Sequence, residues 1–171
     1  MKLAIGSDHA GYALKEKIKA SFPEHEFTDF GAYSESSVDY PDHISKVARA
    51  VRDGLADAGI AICGTGIGAC ITANKVRGIR AALCTNEFMA EMTRRHNDAN
   101  VLVLGARVTG DDLSLAIVRR YAIDLPAGAR ALLESGRGET VKPGDPRLAG
   151  VETHLIATPQ MALEAAADVA H

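Results

Sequence analysis

Strand-like runs and helix-period segments alternate five times in this chain, and few folds accommodate that order. Lys2–Gly6, Glu26–Phe30, Ile60–Cys63, Ile79–Cys84 and Val101–Gly105 read as strands. Between and after them lie segments of helical spacing. The first runs from about Tyr12 to Ser21, with Ala13, Leu14 and Ile18 on its apolar side and Pro23 marking its end. Ile44, Val47, Ala48, Val51 and Leu55 recur at helical intervals, and Ala69–Lys75, Asn86–Arg95 and Asp111–Tyr121 supply three more helices. Right-handed connections turn such an order into a doubly wound α/β fold with a parallel sheet. The alternation is complete by about residue 122. Pro126, Pro143, Pro146 and Pro159, with glycines between Gly128 and Gly150, then mark a shift in composition, and Thr158–Val169 has amphipathic spacing. The expected organisation is a domain over 1–122 with a C-terminal extension over 123–171 that packs on a partner subunit rather than forming a second domain.

The third strand runs into Gly64-Thr65-Gly66-Ile67-Gly68. Alternating glycines let a backbone turn sharply and approach a ligand. The N–H groups of such a turn and of the first helical residues have no intrahelical acceptor, so the segment is a candidate anion or oxyanion site. The spacing is G-x-G-x-G, not the G-x-G-x-x-G of dinucleotide binding, and no Gly-Lys-Ser/Thr follows to make a P-loop. A tight strand-to-helix turn would use the same residues. Cys63 stands at the carboxyl end of the strand, the rim where open α/β sheets bind ligands. Asp8 and His9 follow the first strand at that same rim. Asp8 is equally a helix N-cap, and His9 equally a solvated loop residue. Ala32–Asp42 reads as a loop, in which Tyr40 is either a substrate contact or a lid on the helix that follows. His96 stands where a cation favours a helix C-terminus. Cys70 and Cys84 read as small core residues.

Composition narrows the function. A formal net charge of −3 with no basic stripe argues against a nucleic-acid partner. No apolar run nears the roughly 20 residues of a membrane span, and Met1–Ile5 is too short for a signal peptide. Three cysteines without a C-x-x-C pair fit reduced thiols in the cytoplasm, and no tight Cys/His cluster calls for a metal.

Four stretches in register resemble one family: Gly6-Ser-Asp-His-Ala-Gly11, Asp39-Tyr-Pro41, Cys63-Gly-Thr-Gly-Ile-Gly68 with Ala73-Asn-Lys75, and Arg95-His-Asn-Asp-Ala-Asn100. Over about Met1–Tyr121 the chain is similar to the ribose-5-phosphate isomerase B family, which includes the galactose-6-phosphate isomerase subunits. The resemblance implies a Rossmann-like three-layer α/β/α sandwich with a five-stranded parallel sheet. It implies a homodimer, sometimes paired into tetramers, and an aldose–ketose isomerase of a sugar phosphate that uses neither metal nor organic cofactor. Cys63 is then the base that moves the proton between C1 and C2 of the open-chain sugar. Thr65 and the backbone N–H groups of Gly64, Gly66, Ile67, Gly68 and Ala69 would stabilise the enediolate. Asp8 and His96 would open the furanose ring, Tyr40 and Asn97 would line the sugar, and His9 and Arg107 would approach the phosphate. His96, Asn97 and Arg107 are expected from a neighbouring subunit.

The chemistry suits those roles. Aldose–ketose exchange needs a base beside a carbonyl and fixed donors aimed at the developing oxyanion. A thiol serves where its pKa falls, as it does near a helix N-terminus. Some relatives use a glutamate at the position of Ala69, which leaves Cys63 as the candidate in this loop. The tail departs from the family. Where relatives carry Gly-Gly-Arg-His and a further arginine for the phosphate, this chain has Leu125-Pro-Ala-Gly-Ala-Arg130 and Glu134-Ser-Gly-Arg-Gly138. Arg130 and Arg137 are the candidate replacements. Ribose 5-phosphate leads the substrates, followed by other tetrose, pentose or hexose phosphates and free sugars. A non-catalytic sugar-phosphate-binding subunit and a thiol enzyme with Cys63 as covalent nucleophile are the competing classes.

Overall fold

The computed structural model describes residues 1–122. The extension expected over 123–171, and with it Arg130 and Arg137, lies outside the described residues. In chain order the elements are β1 (Lys2–Ser7), a 3₁₀ turn (His9–Gly11), α1 (Tyr12–Ser21), β2 (Glu26–Asp29), α2 (Tyr40–Arg52), β3 (Ala58–Cys63), α3 (Ile67–Asn74), β4 (Ala81–Leu83), α4 (Glu87–Asn97), β5 (Val101–Gly105) and α5 (Asp111–Tyr121). The five strands form one parallel sheet in the order β2-β1-β3-β5-β4. From β1 the chain moves outward to β2, then returns to place β3 on β1's other side. The crevice between the carboxyl ends of β1 and β3 is therefore a topological switch point, the place where such sheets bind ligands.

Strand side chains alternate between two unlike faces. Leu3, Ile5, Ile60, Ile62, Leu102 and Leu104 point to the face covered by α1, α4 and α5, where Leu14, Ile18, Ala90, Ile117 and Val118 meet them. Burying each such branched side chain contributes about 1.5–3 kcal/mol. The other face presents Ala4, Gly6, Gly59 and Ala61, so that α2 and α3 lie close, with Ile44, Val47, Ala48, Ala69 and Ala73 packed on it. The three-layer sandwich expected from the sequence is the observed one.

Four local expectations are corrected. Ala13 is exposed, and the buried position beside Leu14 belongs to Lys15. A cation survives there because Lys15 Nζ donates to both oxygens of Asp29, at 2.7 and 2.6 Å, and lies 5.6 and 5.2 Å from the Tyr12 and Tyr33 ring centres. Burial of Asp29 works against its charge, but Lys15, Lys19 and the Gly31 N–H outweigh it and hold the carboxyl below its usual range. Secondly, the loop stops at Asp39: Tyr40 and Pro41 open α2, where the missing proline N–H costs nothing. Leu55 falls beyond that helix and is exposed. Thirdly, α3 begins at Ile67, two residues earlier than the glycines implied. Lastly, β4 is confined to Ala81–Leu83, because Ile79 still belongs to the turn that closes on Val76.

β4 lies at the sheet edge, and its outward groups have an unusual partner. The Asn74 side chain accepts from the Ala81 N–H at 2.9 Å and donates to the Ala81 carbonyl at 2.9 Å. One amide side chain thus stands in for the main chain of a further strand.

Candidate active site

The residues predicted to carry chemistry divide between two rims of the sheet. At the carboxyl rim, the Asp8 N–H donates to the Ile62 carbonyl at 3.2 Å, which sets Asp8 beside the end of β3 at the switch point. Asp8 Oδ1 accepts from the Gly11 N–H at 3.0 Å, so the capping role is real, while Oδ2 enters none of the described hydrogen bonds. His9 is half-buried, and its Nδ1 accepts from the Val38 N–H at 3.2 Å.

Cys63 is buried on the α3 face among Ala69, Ala73 and Val103. The chain reverses at Gly66, where φ is +81°, a conformation that residues with a side chain rarely adopt and where a Cβ would also overlap Leu83. That reversal turns the Gly66 N–H back onto Cys63 Sγ at 3.2 Å. The Ile67 N–H is taken by Thr65 Oγ1 at 3.3 Å, which leaves the exposed Thr65 hydroxyl to donate its own proton elsewhere. The N–H groups of Thr65, Gly68 and Ala69 have no acceptor among the described residues, and α3 has no side-chain cap. The last glycine also serves packing. A Cβ on Gly68 would stand 2.7 Å from Tyr40 Cζ, so its lack of a side chain admits the Tyr40 ring. That packing places Tyr40 over the start of α3.

The loop after β5 completes this rim. The N–H groups of Ala106 and Arg107 donate to the carbonyls of Cys63 and Gly64, each at 2.9 Å. The Arg107 side chain starts alongside Gly64 of its own chain, the residue beside which its Cδ lies.

His96 and Asn97 are elsewhere. They end α4, which runs antiparallel to the strands, and the Asn100 carbonyl just beyond them accepts from the Gly59 N–H at the other end of β3. From Gly59 to Cys63 the strand rises about 13 Å. One chain therefore brings together Asp8, His9, Tyr40, Cys63, the 64–69 turn and Arg107, and does not bring His96 or Asn97 to them. A groove between β4 and α4, lined by Leu83, Cys84, Phe88, Met92 and Asn97, holds none of the carboxyl-rim groups. Among the described residues no cluster of His, Cys, Asp or Glu is placed to hold a metal ion, and no helix is long and apolar enough to cross a membrane.

A family model described as Ribose/Galactose Isomerase matches residues 3–131. The chain is an isomerase of the ribose/galactose isomerase family. It is 48% identical over 119 residues to ribose-5-phosphate isomerase B of Escherichia coli K12, an overlap that covers 68% of this chain and 80% of the relative. The D-erythrulose-4-phosphate isomerase of Pectobacterium atrosepticum is 41% identical over 122 residues, covering 69% and 80%. Among solved structures, ribose-5-phosphate isomerase B of Clostridium thermocellum superposes with a TM-score of 0.73 at 52% identity, covering 80% of this chain and 94% of that one.

Proposed function

We propose that this chain interconverts the aldose and ketose forms of a sugar phosphate, ribose 5-phosphate and ribulose 5-phosphate foremost, by proton transfer at Cys63. The observation that carries the reading is the glycine turn: it aims one N–H at the Cys63 sulfur and leaves others, with the Thr65 hydroxyl, to face a ligand. In the open-chain aldose, the Cys63 thiolate takes the C2 proton and the electron pair moves into the C1 carbonyl. The enediolate oxygen that results is held by Thr65 and the N–H groups of the turn, whose fixed dipoles need no reorganisation. The proton returns to C1, the O2 proton passes to O1, and a C2 ketone remains. C2 is oxidised and C1 reduced within one molecule, so no further reactant is required.

Ring opening needs a second proton-transfer group beside Asp8, and among the described residues the rim's His9 is already engaged with Val38 through Nδ1. On this reading His96 of a neighbouring copy supplies it, Asn97 of that copy lines the sugar beside Tyr40, and the chain works as a homodimer or a pair of dimers. His9, Arg107 and Arg130 or Arg137 take the phosphate. Reduced thiols suit a cytoplasmic enzyme.

A second substrate has support of its own. The D-erythrulose-4-phosphate isomerase named above is a relative of comparable overlap, and the phosphate arginines expected in the tail are not in their usual context. A panel of tetrose, pentose and hexose phosphates with their free sugars, assayed for interconversion in deuterated water, separates the two. Turnover with incorporation of solvent deuterium at C2 is expected, with the highest kcat/KM on ribose 5-phosphate. A higher value on a tetrose 4-phosphate would favour the second substrate, and no interconversion of any pair would overturn the reading.

A further inference from the structure

His96 and Asn97 are exposed, and neither side chain enters the described hydrogen bonds, yet the turn that follows them is tied down on every side. Asp98 adopts a left-handed conformation, with φ 47° and ψ 40°, and the Ala99 N–H closes on the Thr93 carbonyl at 3.1 Å. From the core side, Arg94 Nη1 and the Tyr121 hydroxyl both donate to the Ala99 carbonyl, at 2.7 and 3.0 Å. From the solvent side, Arg80 Nε donates to the Asp98 carbonyl at 2.7 Å while its Nη2 pairs with the Asp98 carboxylate. The Asn100 side chain accepts from the Arg80 N–H at 2.8 Å and donates to the Gly78 carbonyl at 2.9 Å.

Two of these ties differ in what they can be for. Arg94 and Tyr121 are buried and belong to the core. Arg80 is exposed, and its ion pair with Asp98 is of the kind that contributes little to stability. Its two-point grip is nonetheless geometrically specific: a planar fork holds both the carbonyl and the carboxylate of one residue. That residue sits two positions after His96. A group that must act in another subunit's site is aimed through its own backbone where, as here, its side chain has no partner among the described residues of its own chain. We propose that Arg80, gripping Asp98, is a positioning residue that holds the end of α4 so that His96 and Asn97 complete a neighbouring copy's site. This rests on the shared-site reading above.

The experiment is a mixing test on the full chain. Arg80→Met is expected to keep a thermal midpoint close to that of the parent while losing activity by about 10–100-fold, since a misplacement near 1 Å can cost that much. Arg80→Lys, which keeps the charge and loses the fork, should recover little. Arg80→Met is then refolded together with Cys63→Ala. In a hybrid dimer one site combines the intact Cys63 of the first chain with the intact 96–100 turn of the second. Equal mixing should restore about a quarter of the parent activity, from half the dimers with one of two sites repaired. A defect confined to the chain's own site would give no such recovery. His96→Ala mixed with Cys63→Ala runs alongside. If that pair recovers and the Arg80 pair does not, the positioning role is overturned and the shared site stands. If neither pair recovers, the shared site falls and the positioning role falls with it. Full activity in Arg80→Met alone also overturns the role. Should Arg80→Met fail to fold, Asp98→Gly tolerates the left-handed backbone, removes the carboxylate with its side chain and must give the same pattern.

Discussion

β3 ends in Cys63 and β4 runs straight into Cys84; both thiols are buried, and each strand feeds a helix through a short turn. In the turn after β4, Asn86 Oδ1 accepts from the Met89 N–H at 2.9 Å and closes the start of α4. Cys84 Sγ there points to the Ala82 carbonyl at 3.7 Å, and burial, with Cys70 nearby, pushes its thiol up to about 11. The turn after β3 has a glycine at the equivalent place. Gly66 brings no side chain to cap α3, and the Cys63 sulfur receives its N–H instead. On the reading proposed above, a strand-end cysteine is an inert core residue when its helix is capped from within, and a working one when a left-handed glycine turn leaves donors unused.

Cys63→Ala should break the contrast most completely. It removes the proposed base and should lower kcat by roughly 10²–10⁴ with little change in KM. C2 deuterium exchange should vanish with it. Cys84→Ala should leave kcat alone. If exchange and turnover both survive in Cys63→Ala, the two cysteines are alike and the base lies elsewhere.

Gly66→Ala should come next. It forces a Cβ into the left-handed region, at about 1–2 kcal/mol, and into Leu83, where overpacking adds about 1–3 kcal/mol. Denaturant unfolding should show a loss of at least about 2 kcal/mol, and the turn should no longer deliver its N–H to the sulfur. A parent-like midpoint with parent-like kcat would mean that the reversal at Gly66 is not what distinguishes the two turns.

Cys84 sharpens the contrast through pH. Its thiol sits above the ordinary value of about 8.5, so the folded chain holds that proton more tightly than the unfolded one. The associated stability is fully present below about pH 8.5 and is lost as pH rises toward about 11. Cys84→Ala should flatten that part of the alkaline unfolding curve. Asn86→Ala is the smallest change: a lost cap costs about 1 kcal/mol, and kcat should be untouched.

Much of this was legible in the chain itself. The spans of α1, α5 and β5 follow the spacing and its punctuation residue for residue, because Pro23, Gly105 and Asp111 sit where backbone geometry makes them signals. The carboxyl rim was legible too, since strand ends in a parallel sheet share one side and Asp8 and Cys63 both stand at such ends. Periodicity missed Lys15, whose burial depends on Asp29 arriving from β2. It also missed the start of α3: Gly66-Ile67-Gly68 reads as a break, yet only Gly66 is left-handed and the next two residues are helical. The packing of Tyr40 on Gly68 was hidden for the same kind of reason, because Tyr40 reaches it from a helix 28 positions earlier in the chain. Tyr40-Pro41 did carry its signal, a proline in the first helical turn, but a run of serines ahead of it resembled a loop.

The pairing of Asn74 with Ala81 has a consequence for how copies of this chain can join. An exposed edge strand is a template, and an added strand gains hold by bonding to several outward residues in succession. In β4 the outward residues alternate, at Ala81 and Leu83, and Asn74 already occupies both groups of the first. A single residue offers no register. Two copies that meet along this side must therefore recognise each other by side chains, and chains crowded together during synthesis find no ladder there on which to aggregate.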